Sequence, residues 1–448
     1  MIDHYHNRGI NIPLLITHKL VPDRNVFSIL VGKNGTGKST LLGNLATEFT
    51  KELSRVNNRN KEFFFDNDYN RSYFPFEIIA VSTSPFDKFP LDRFNRQKFY
   101  TYLGLRDINS SSIGLSYLSK IIGSLIESIS KNPKQAYEIC NVLEFLEYKD
   151  EMNIILEFNL NPNQLQELVH NRNFIEEFDN RTNPNFRKLN RQYFTNADNT
   201  LNERKLNKLY KISNDLLDND IFHKRSFNLS INKYGFNESE LKFEIESLIF
   251  LFEAGIIRLR DVLLNTFKYN ERFSIKDASS GEQSIILSIL GIASRIKDNC
   301  LILIDEPEIC LHPHWQEKYI EILTNTFDKY RNCQFIIATH SPLIISKLSS
   351  YNSFIINMED GGINSSENFI NNSVDYQLAN VFNNPGFKNE YLLRIAISTF
   401  TKVSKHKKFD NRDDENLQLL NNMVNRLRQD DPIYDLTKTI IKLKEMYG

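Results

Sequence analysis

Short, mainly apolar runs alternate along this chain with longer segments whose apolar residues recur at helical spacing. Each run has the length of a strand buried on both faces; the runs lie at 26–31, 76–82, 301–304, 335–339 and 353–357. Helical spacing follows, and after the first run it comprises Leu41, Leu42, Leu45, Phe49 and Leu53. This alternation predicts an α/β fold with a mostly parallel sheet and flanking helices, preceded by a short β-rich lead-in within residues 1–31.

The pattern changes to helical from about residue 105 to residue 255. Its clearest stripe is Ile113, Leu115, Leu118, Ile122, Leu125 and Ile129, and a second is Leu206, Leu209, Ile212, Leu216 and Leu217. No heptad pattern continues for four repeats, so we expect a compact helical insertion and not a long coiled coil. After about residue 371 the chain is polar and helical again, with a basic run at 402–408.

These changes of pattern predict four segments. Residues 1–104 form the first part of an α/β domain, residues 105–255 the helical insertion, and residues 256–370 the second part of the domain. Residues 371–448 form a C-terminal helical region, which is a candidate surface for binding a partner.

Composition narrows the class of protein and its compartment. With 41% hydrophobic and 25% charged residues, the 448-residue chain is typical of globular proteins, and its net charge of −1 gives no overall attraction to nucleic acid. The four cysteines lack metal-ligand spacing and suit a reducing compartment. The first residues do not resemble a signal peptide, and no apolar run is long enough to span a membrane. We therefore expect a cytoplasmic protein without a membrane partner.

A glycine-rich loop separates the first apolar run from the first helical segment. Glycines permit backbone angles and a close approach that side chains would block, and the amides of such a loop and of the following helix start bind phosphate oxygens. We expect Lys38 to contact the β- and γ-phosphates and Ser39 to ligate Mg²⁺. The predicted nucleotide-binding residues in this loop are Gly32, Asn34, Gly35, Thr36, Gly37, Lys38, Ser39 and Thr40.

Two carboxylates and a histidine end two of the predicted buried strands. Asp305 and Glu306 follow the run 301–304. We expect Asp305 to hold Mg²⁺ together with Ser39, and Glu306 to polarise the water that attacks the nucleotide. His340 follows the next run, where it is placed to contact a γ-phosphate. Glu306, His340 and Lys38 are thus the candidate catalytic residues.

Four motifs in this order resemble the ABC-type ATPase heads of the SMC, RecF and OLD group. They are Gly32–Thr40, Ser279–Gln283, Leu301–Glu308 with the following Leu-His-Pro, and Ala338–Pro342. The resemblance implies an ATP- and Mg²⁺-dependent ATPase that dimerises head to head, or forms a higher oligomer, with a serine-glycine signature completing the partner's site. The residues that match this signature are Ser280, Gly281, Glu282 and Gln283, with Glu282 where transporters usually carry glycine.

One ligand of such heads is left open by the sequence. The family has a glutamine between the phosphate loop and the signature that touches Mg²⁺ and water. Gln97 lies at a plausible distance beyond the turn 82–89, but nothing that flanks it is diagnostic. The turn itself faces either the nucleotide or a partner, or is a plain exit from the strand.

Within this group the chain is most similar to the PtuA-like ATPases of Septu and related retron systems, which act in anti-phage defence. That resemblance implies a separate HNH nuclease subunit of the PtuB type as partner, or a complex with a retron reverse transcriptase and nucleic acid. Glu359-Asp360-Gly361 is not followed by paired Asp-x-Asp strands, so we expect no nuclease site in this chain. The alternatives are a DNA-binding repair ATPase of the RecF or SMC type, with 402–408 as its basic patch, and a transporter subunit, against which Glu282 and the long insertion argue.

Overall fold

A seven-stranded sheet forms the centre of the molecule. The computed structural model describes residues 1–7, 10–58, 75–91, 99–106, 113–170, 188–196, 198, 200–217, 225–237, 244–267 and 272–448. The strands of the sheet, in the order in which they lie side by side, are β14 (Ile363–Ser365), β13 (Ser353–Asn357), β3 (Val26–Val31), β12 (Gln334–Ala338), β11 (Cys300–Asp305), β4 (Glu77–Ser82) and β5 (Tyr100–Leu103). All of them run parallel except β14, which pairs antiparallel with β13. The predicted mostly parallel sheet is confirmed.

Helices cover both faces of this sheet, as the apolar runs require. Alternate residues of β11 belong to different clusters: Ile302 and Ile304 pack on one face, and Leu301 and Leu303 on the other. The helices along the chain are α1 (Lys38–Asn58), α2 (Ile113–Lys131), α3 (Lys134–Phe145), α4 (Pro162–His170), α5 (Arg191–Phe194), α6 (Glu203–Leu217), α7 (Ile245–Glu253), α8 (Ser280–Ala293), α9 (Pro313–Phe327), α10 (Pro342–Ser346), α11 (Val374–Asn380), α12 (Glu390–His406), α13 (Asn411–Val424) and α14 (Pro432–Tyr447). Helix α1 packs on the face of Leu301, and α2, α3, α8 and α9 on the face of Ile302.

The segment 105–255 is not wholly helical, which corrects the expectation of a helical insertion. It contains β6 (Tyr148–Phe158), β7 (Ser226–Asn232) and β8 (Gly235–Asn237). These strands pair with β9 (Ile257–Thr266) and β10 (Arg272–Ser274) in a five-stranded antiparallel sheet of order β10-β9-β6-β7-β8. Met152, Ile154 and Leu156 point into the same hydrophobic core as the main sheet. The sheet and the insertion helices therefore share one core with the α/β domain.

The predicted β-rich lead-in is a two-stranded hairpin of β1 (His4–Asn7) and β2 (Ile10–Pro13). Ile2, Tyr5 and Leu14 pack beside α1 on the same face of the main sheet. The Oγ of Ser28, in the middle of β3, donates to the carbonyl of Leu14 at 2.6 Å. The hairpin is thus attached to the strand that leads into the glycine-rich loop.

The C-terminal helices α11 to α14 form a layer with a separate small core. Leu392, Ala396, Leu420 and Ile440 are members of this core. In the predicted basic run, Lys402 lies 2.6 Å from Asp410 and 2.9 Å from Asp413, so part of its positive charge is neutralised locally.

In the part of the chain that the structure describes, no helix combines the length and the apolar character needed to cross a bilayer.

Helix α1 lies so close to the turn after β4 that a single methyl group would not fit between them. A Cβ on Gly43 would lie 2.3 Å from the backbone carbonyl oxygen of Lys88. Alanine in a helix normally stabilises relative to glycine by about 1 kcal/mol. We expect Gly43→Ala to lower the free energy of unfolding by about 1–3 kcal/mol instead, because helix or turn must move.

Chemical denaturation measures this change, with Lys51→Ala as the control. Lys51 is exposed on the same helix, so its replacement should alter stability by no more than about 0.5 kcal/mol. A Gly43→Ala protein as stable as the wild type would contradict the close packing of α1 on the turn.

Candidate nucleotide-binding site

The glycine-rich loop lies between β3 and α1, at the edge where the parallel strands end. Gly35 and Gly37 have φ angles of +84° and +92°, which a residue with a side chain rarely adopts. The Lys38 Nζ donates to the carbonyls of Gly32, at 2.8 Å, and Lys33, at 3.1 Å. The loop is therefore wrapped around its own lysine, with the first turn of α1 directly behind it.

Register brings the ends of neighbouring strands to the same level as this loop. Asp305 pairs with Ser82 of β4 and with Ala338 of β12, and Ala338 pairs with Leu30 of β3. The residues that follow each of these positions therefore gather at one edge of the sheet. This is the edge at which open α/β sheets bind their ligands.

The carboxylate of Asp305 is linked to the start of α1 by Ser39. The Ser39 Oγ donates to the Asp305 Oδ1 at 3.0 Å. The pKa of Asp305 is raised to about 7, chiefly because the group is buried; the hydrogen bond from Ser39 opposes this, and the charges of Glu306, Asp87 and Glu308 add to it. An oxygen pair of hydroxyl and carboxylate fits Mg²⁺, whose charge would favour the ionised carboxylate.

Glu306 is held at the mouth of the site by its backbone. Its φ is +49°, in the left-handed region, while its N–H donates to the Ala338 carbonyl at 2.9 Å. Its own carbonyl accepts from the Thr83 Oγ1 at 3.0 Å. The side chain thereby leaves the strand at a sharp turn, and its Oε1 lies 3.7 Å from the His340 Nε2. Glu306 and His340 face each other across the edge.

The electrostatic environment of His340 favours the neutral imidazole. Burial lowers the pKa of His340, and the nearby Lys38 ammonium lowers it further, while Glu306 opposes both. A neutral ring can donate from one nitrogen and accept at the other.

Glu308 has a role that motif reasoning did not assign. It accepts a hydrogen bond from the Thr339 Oγ1 at 2.9 Å and another from the backbone N–H of His340. Burial raises the pKa of Glu308, and these hydrogen bonds oppose that rise. Glu308 thus ties the turn after β11 to the turn that carries His340. The available signal was the third acid of Asp305-Glu306-Pro307-Glu308.

Lys38 is the cation around which these acids lie. Burial lowers the pKa of Lys38, and the charges of Glu306, Asp305, Glu308 and Glu359 oppose that effect. The structure therefore brings together the predicted Lys38, Ser39, Asp305, Glu306 and His340, and it adds Glu308 and Glu359.

The signature residues occupy the start of α8 and serve the helix itself. Ser279 is the N-cap, and Glu282 closes a capping box with it: the Glu282 Oε2 accepts from the Ser279 N–H at 3.0 Å and from its Oγ at 2.8 Å. The Gln283 Nε2 donates to the carbonyls of Lys276 and Ala278. These contacts within the chain are enough to account for the presence of Glu282 and Gln283 at this helix start.

Ser280 and Gly281 lie at the same helix start. Ser280 is exposed, and a Cβ on Gly281 would lie 3.2 Å from the Cys310 carbonyl oxygen. Among the described residues, no hydrogen bond or ion pair joins residues 280–283 to the loop 32–40. The structure thus does not bring the signature onto this chain's own loop.

The turn after β4 lies beside the site, and contacts of its Asp87 hold it in place. Asp87 accepts from the Tyr102 hydroxyl at 2.6 Å and from the Phe89 N–H at 3.0 Å, and Arg106 lies 3.4 Å from its Oδ1. Thr83 meets the backbone of Glu306, as described above. The turn therefore contacts the candidate site, whereas Gln97 lies outside the described residues.

A protein-family model described as "AAA domain, putative AbiEii toxin, Type IV TA system" matches residues 27–346. This range runs from β3, which leads into the glycine-rich loop, through the His340 turn to the end of α10.

Several curated proteins are similar to the chain at low identity. "Retron Ec83 probable ATPase" of Escherichia coli is 24% identical over 73% of this chain and 66% of its own length. "Endonuclease GajA" of Bacillus cereus is 26% identical over 73% of this chain and 53% of its own length. "Septu protein PtuA" of Bacillus mycoides is 35% identical over 28% of this chain and 18% of its own length. The chain thus spans less than two thirds of each of these relatives.

One solved structure similar to the chain is the SMC head domain of Pyrococcus furiosus, at 13% identity and a TM-score of 0.28, over 81% of this chain and 94% of that one.

We expect Glu308→Gln to slow ATP hydrolysis by about tenfold, the usual effect of losing a residue that orients the first ligands of a site. An amide has one acceptor oxygen, so it satisfies only one of the two donors, and His340 loses its fixed position. ATP affinity should not fall, because among the described residues the Glu308 side chain makes no hydrogen bond to the loop, and its charge is one of the four that act on Lys38.

Steady-state kinetics and a binding titration separate these two quantities. Glu321→Gln is the control, since Glu321 is exposed on α9. An unchanged kcat in Glu308→Gln would contradict the positioning role.

Proposed function

This chain belongs to the AAA-domain family, and we propose that it is an ATP-hydrolysing subunit of an anti-phage defence system that regulates a partner effector. The observation that carries the proposal is the meeting of Lys38, Ser39, Asp305, Glu306 and His340 at one sheet edge. The names of the retron and Septu relatives support the defence context.

Binding would use the loop and the first turn of α1. The amides of residues 34–40 and the helix N-terminus provide donors and positive potential for the phosphates. Lys38 would exchange its two carbonyl acceptors for phosphate oxygens. The loop is already bent by Gly35 and Gly37, so little reorganisation is needed.

Hydrolysis would use the acids at the C-terminal end of β11. When bound, Mg²⁺ would neutralise phosphate charge, and Ser39 and Asp305 are the residues that would hold it. Glu306 would orient and polarise the attacking water, because its carboxylate stands at the mouth of the site. His340, kept near neutral by burial and Lys38, would donate to the γ-phosphate.

Dimerisation would complete the site. The Ser280 hydroxyl is exposed, and among the described residues it and the start of α8 make no hydrogen bond to this chain's own loop. This supports a role against the nucleotide of a second copy. Glu282 and Gln283 would then act by shaping the helix start, as their capping contacts indicate.

The partner belongs to the same proposal. The resemblance to PtuA-like ATPases implies an HNH nuclease subunit, or a retron reverse transcriptase with its nucleic acid. The layer α11 to α14, with its own core, is the surface that we assign to this contact.

Two substitutions test the ATPase part by separating binding from hydrolysis. Lys38→Ala should weaken ATP binding about a hundredfold, because it removes the buried cation that would contact two phosphates. Glu306→Gln should bind ATP at least as tightly as the wild type, because it removes a negative charge that acts on Lys38. It should also lower kcat by about a hundredfold or more and accumulate dimers in the presence of ATP.

Calorimetric titration, phosphate release and sedimentation measure the three quantities. Tight ATP binding by Lys38→Ala would overturn the assignment of the loop. Undiminished turnover by Glu306→Gln would remove that residue from the reaction.

A further inference from the structure

A hairpin turn on the flank of the glycine-rich loop carries a carboxylate that the chemistry above does not use. Strand β13 lies next to β3, on the side away from β12 and β11. The pairing continues one residue past the strand, because the Met358 N–H donates to the Val31 carbonyl at 2.8 Å. Glu359 is therefore delivered to the point where β3 becomes the loop.

The turn that carries Glu359 is well ordered by its own hydrogen bonds. The Asn357 Oδ1 accepts from the Glu359 N–H at 2.8 Å, and the Asn357 carbonyl accepts from the Gly361 N–H at 2.8 Å. The Asp360 Oδ1 accepts from the Gly362 N–H at 2.8 Å, with Gly361 at a φ of +72°. The position of Glu359 is thus set by the backbone around it.

Glu359 contacts the loop through both of its carboxylate oxygens. The Oε1 accepts from the backbone N–H of Lys33 at 3.2 Å, and the Oε2 lies 3.6 Å from the Lys33 Nζ. The Glu359 side chain is only 21% exposed, against 59% for Lys33. The carboxylate is therefore the more enclosed member of the pair, and Lys33 is the cation within ion-pair distance of it.

The same charge reaches the phosphate-binding lysine. Glu359 is one of the four acids whose field acts on Lys38, and it is the one that comes from β13. The other three lie on the turn that ends β11, where a metal and the attacking water are needed. The proposed hydrolysis reaction does not require a carboxylate on the opposite side of the loop, where Glu359 lies.

We propose that Glu359 lowers the affinity of the loop for nucleoside triphosphates by holding Lys33 and by placing a negative charge beside the phosphates. This inference rests on the proposed function, since it concerns the same site. A carboxylate on a loop amide occupies a donor of the kind that phosphate uses, and it repels an incoming triphosphate. Glu359 is a positioning residue that holds Lys33 and makes ATP binding weaker.

A purely structural brace would have the opposite effect on binding. If Glu359 only kept the loop in its binding shape, removing its charge would loosen the loop and weaken ATP binding. The sign of the change in affinity therefore separates the two roles.

The test is the isosteric substitution Glu359→Gln in the full chain, with ATP and ADP as the probes. We expect ATP to bind about three- to tenfold more tightly, and ADP to gain less because it carries less charge. The gain should shrink in high salt, which screens a partly exposed carboxylate. Calorimetric or fluorescence titration at two ionic strengths measures these changes.

Asp360→Asn is the matched control. It removes a charge one residue further along the same turn, and its Oδ1 still accepts from the Gly362 N–H. Its ATP affinity should equal that of the wild type. Thermal unfolding of both variants checks that the turn is intact.

Four results decide the proposal. Unchanged or weaker ATP binding in Glu359→Gln overturns it, and so does an equal gain in Asp360→Asn, because the effect would then be general charge. A wild-type chain that does not bind ATP at all refutes the proposed function first. Tight wild-type binding with no change in Glu359→Gln refutes this inference and leaves the proposed function intact.

Discussion

An excess of negative charge around one buried ammonium group governs the candidate site. Asp305, Glu306, Glu308 and Glu359 all act on Lys38. Lys38 together with Lys33, which pairs with Glu359, does not balance four acids. Burial is the main cause of the raised pKa of Asp305, and the charges of Glu306 and Glu308 raise it further. Such an arrangement favours a divalent cation, and the Ser39 hydroxyl beside Asp305 provides the second oxygen ligand.

The parallel sheet creates this concentration of charge. Strands β3, β12, β11 and β4 end at the same level, so each contributes its following residues to one edge. Thr83 from the turn after β4 and Thr339 from the turn after β12 then lock the acids of the turn after β11. Groups that would repel each other are held in place because their backbones are fixed by their neighbours, which is how sites become preorganised.

Sequence patterns predicted the α/β domain well because its strands are buried on both faces and its site residues follow them directly. The insertion was harder. Met152, Ile154 and Leu156 of β6 alternate at period two, but they stand among helices, and the pairing of β6 with β9 joins residues about a hundred positions apart. A local pattern of apolar residues does not identify the distant strand with which a segment pairs.

The site shows the same division. Lys38, Ser39, Asp305 and His340 were predictable because loop and strand-end positions fix their neighbourhood. The contact of Glu359 with Lys33 was not, since it depends on β13 lying next to β3. The capping role of Glu282 was predictable from a local pattern, a Ser followed three residues later by a Glu. It was missed because the segment was assigned to the signature motif.

If the loop of one chain and the signature of another form one ATP site, two variants that are inactive alone should restore activity when mixed. Ser280→Arg disrupts the signature but leaves the loop and its acids intact. Glu306→Gln removes the residue that polarises water but leaves the signature intact. In a dimer with shared sites, a mixed pair has one site in which both halves are intact. An equimolar mixture should therefore recover up to about a quarter of wild-type ATP turnover, since half of random pairs are mixed and each has one working site. A mixture as inactive as its two components would contradict the shared site.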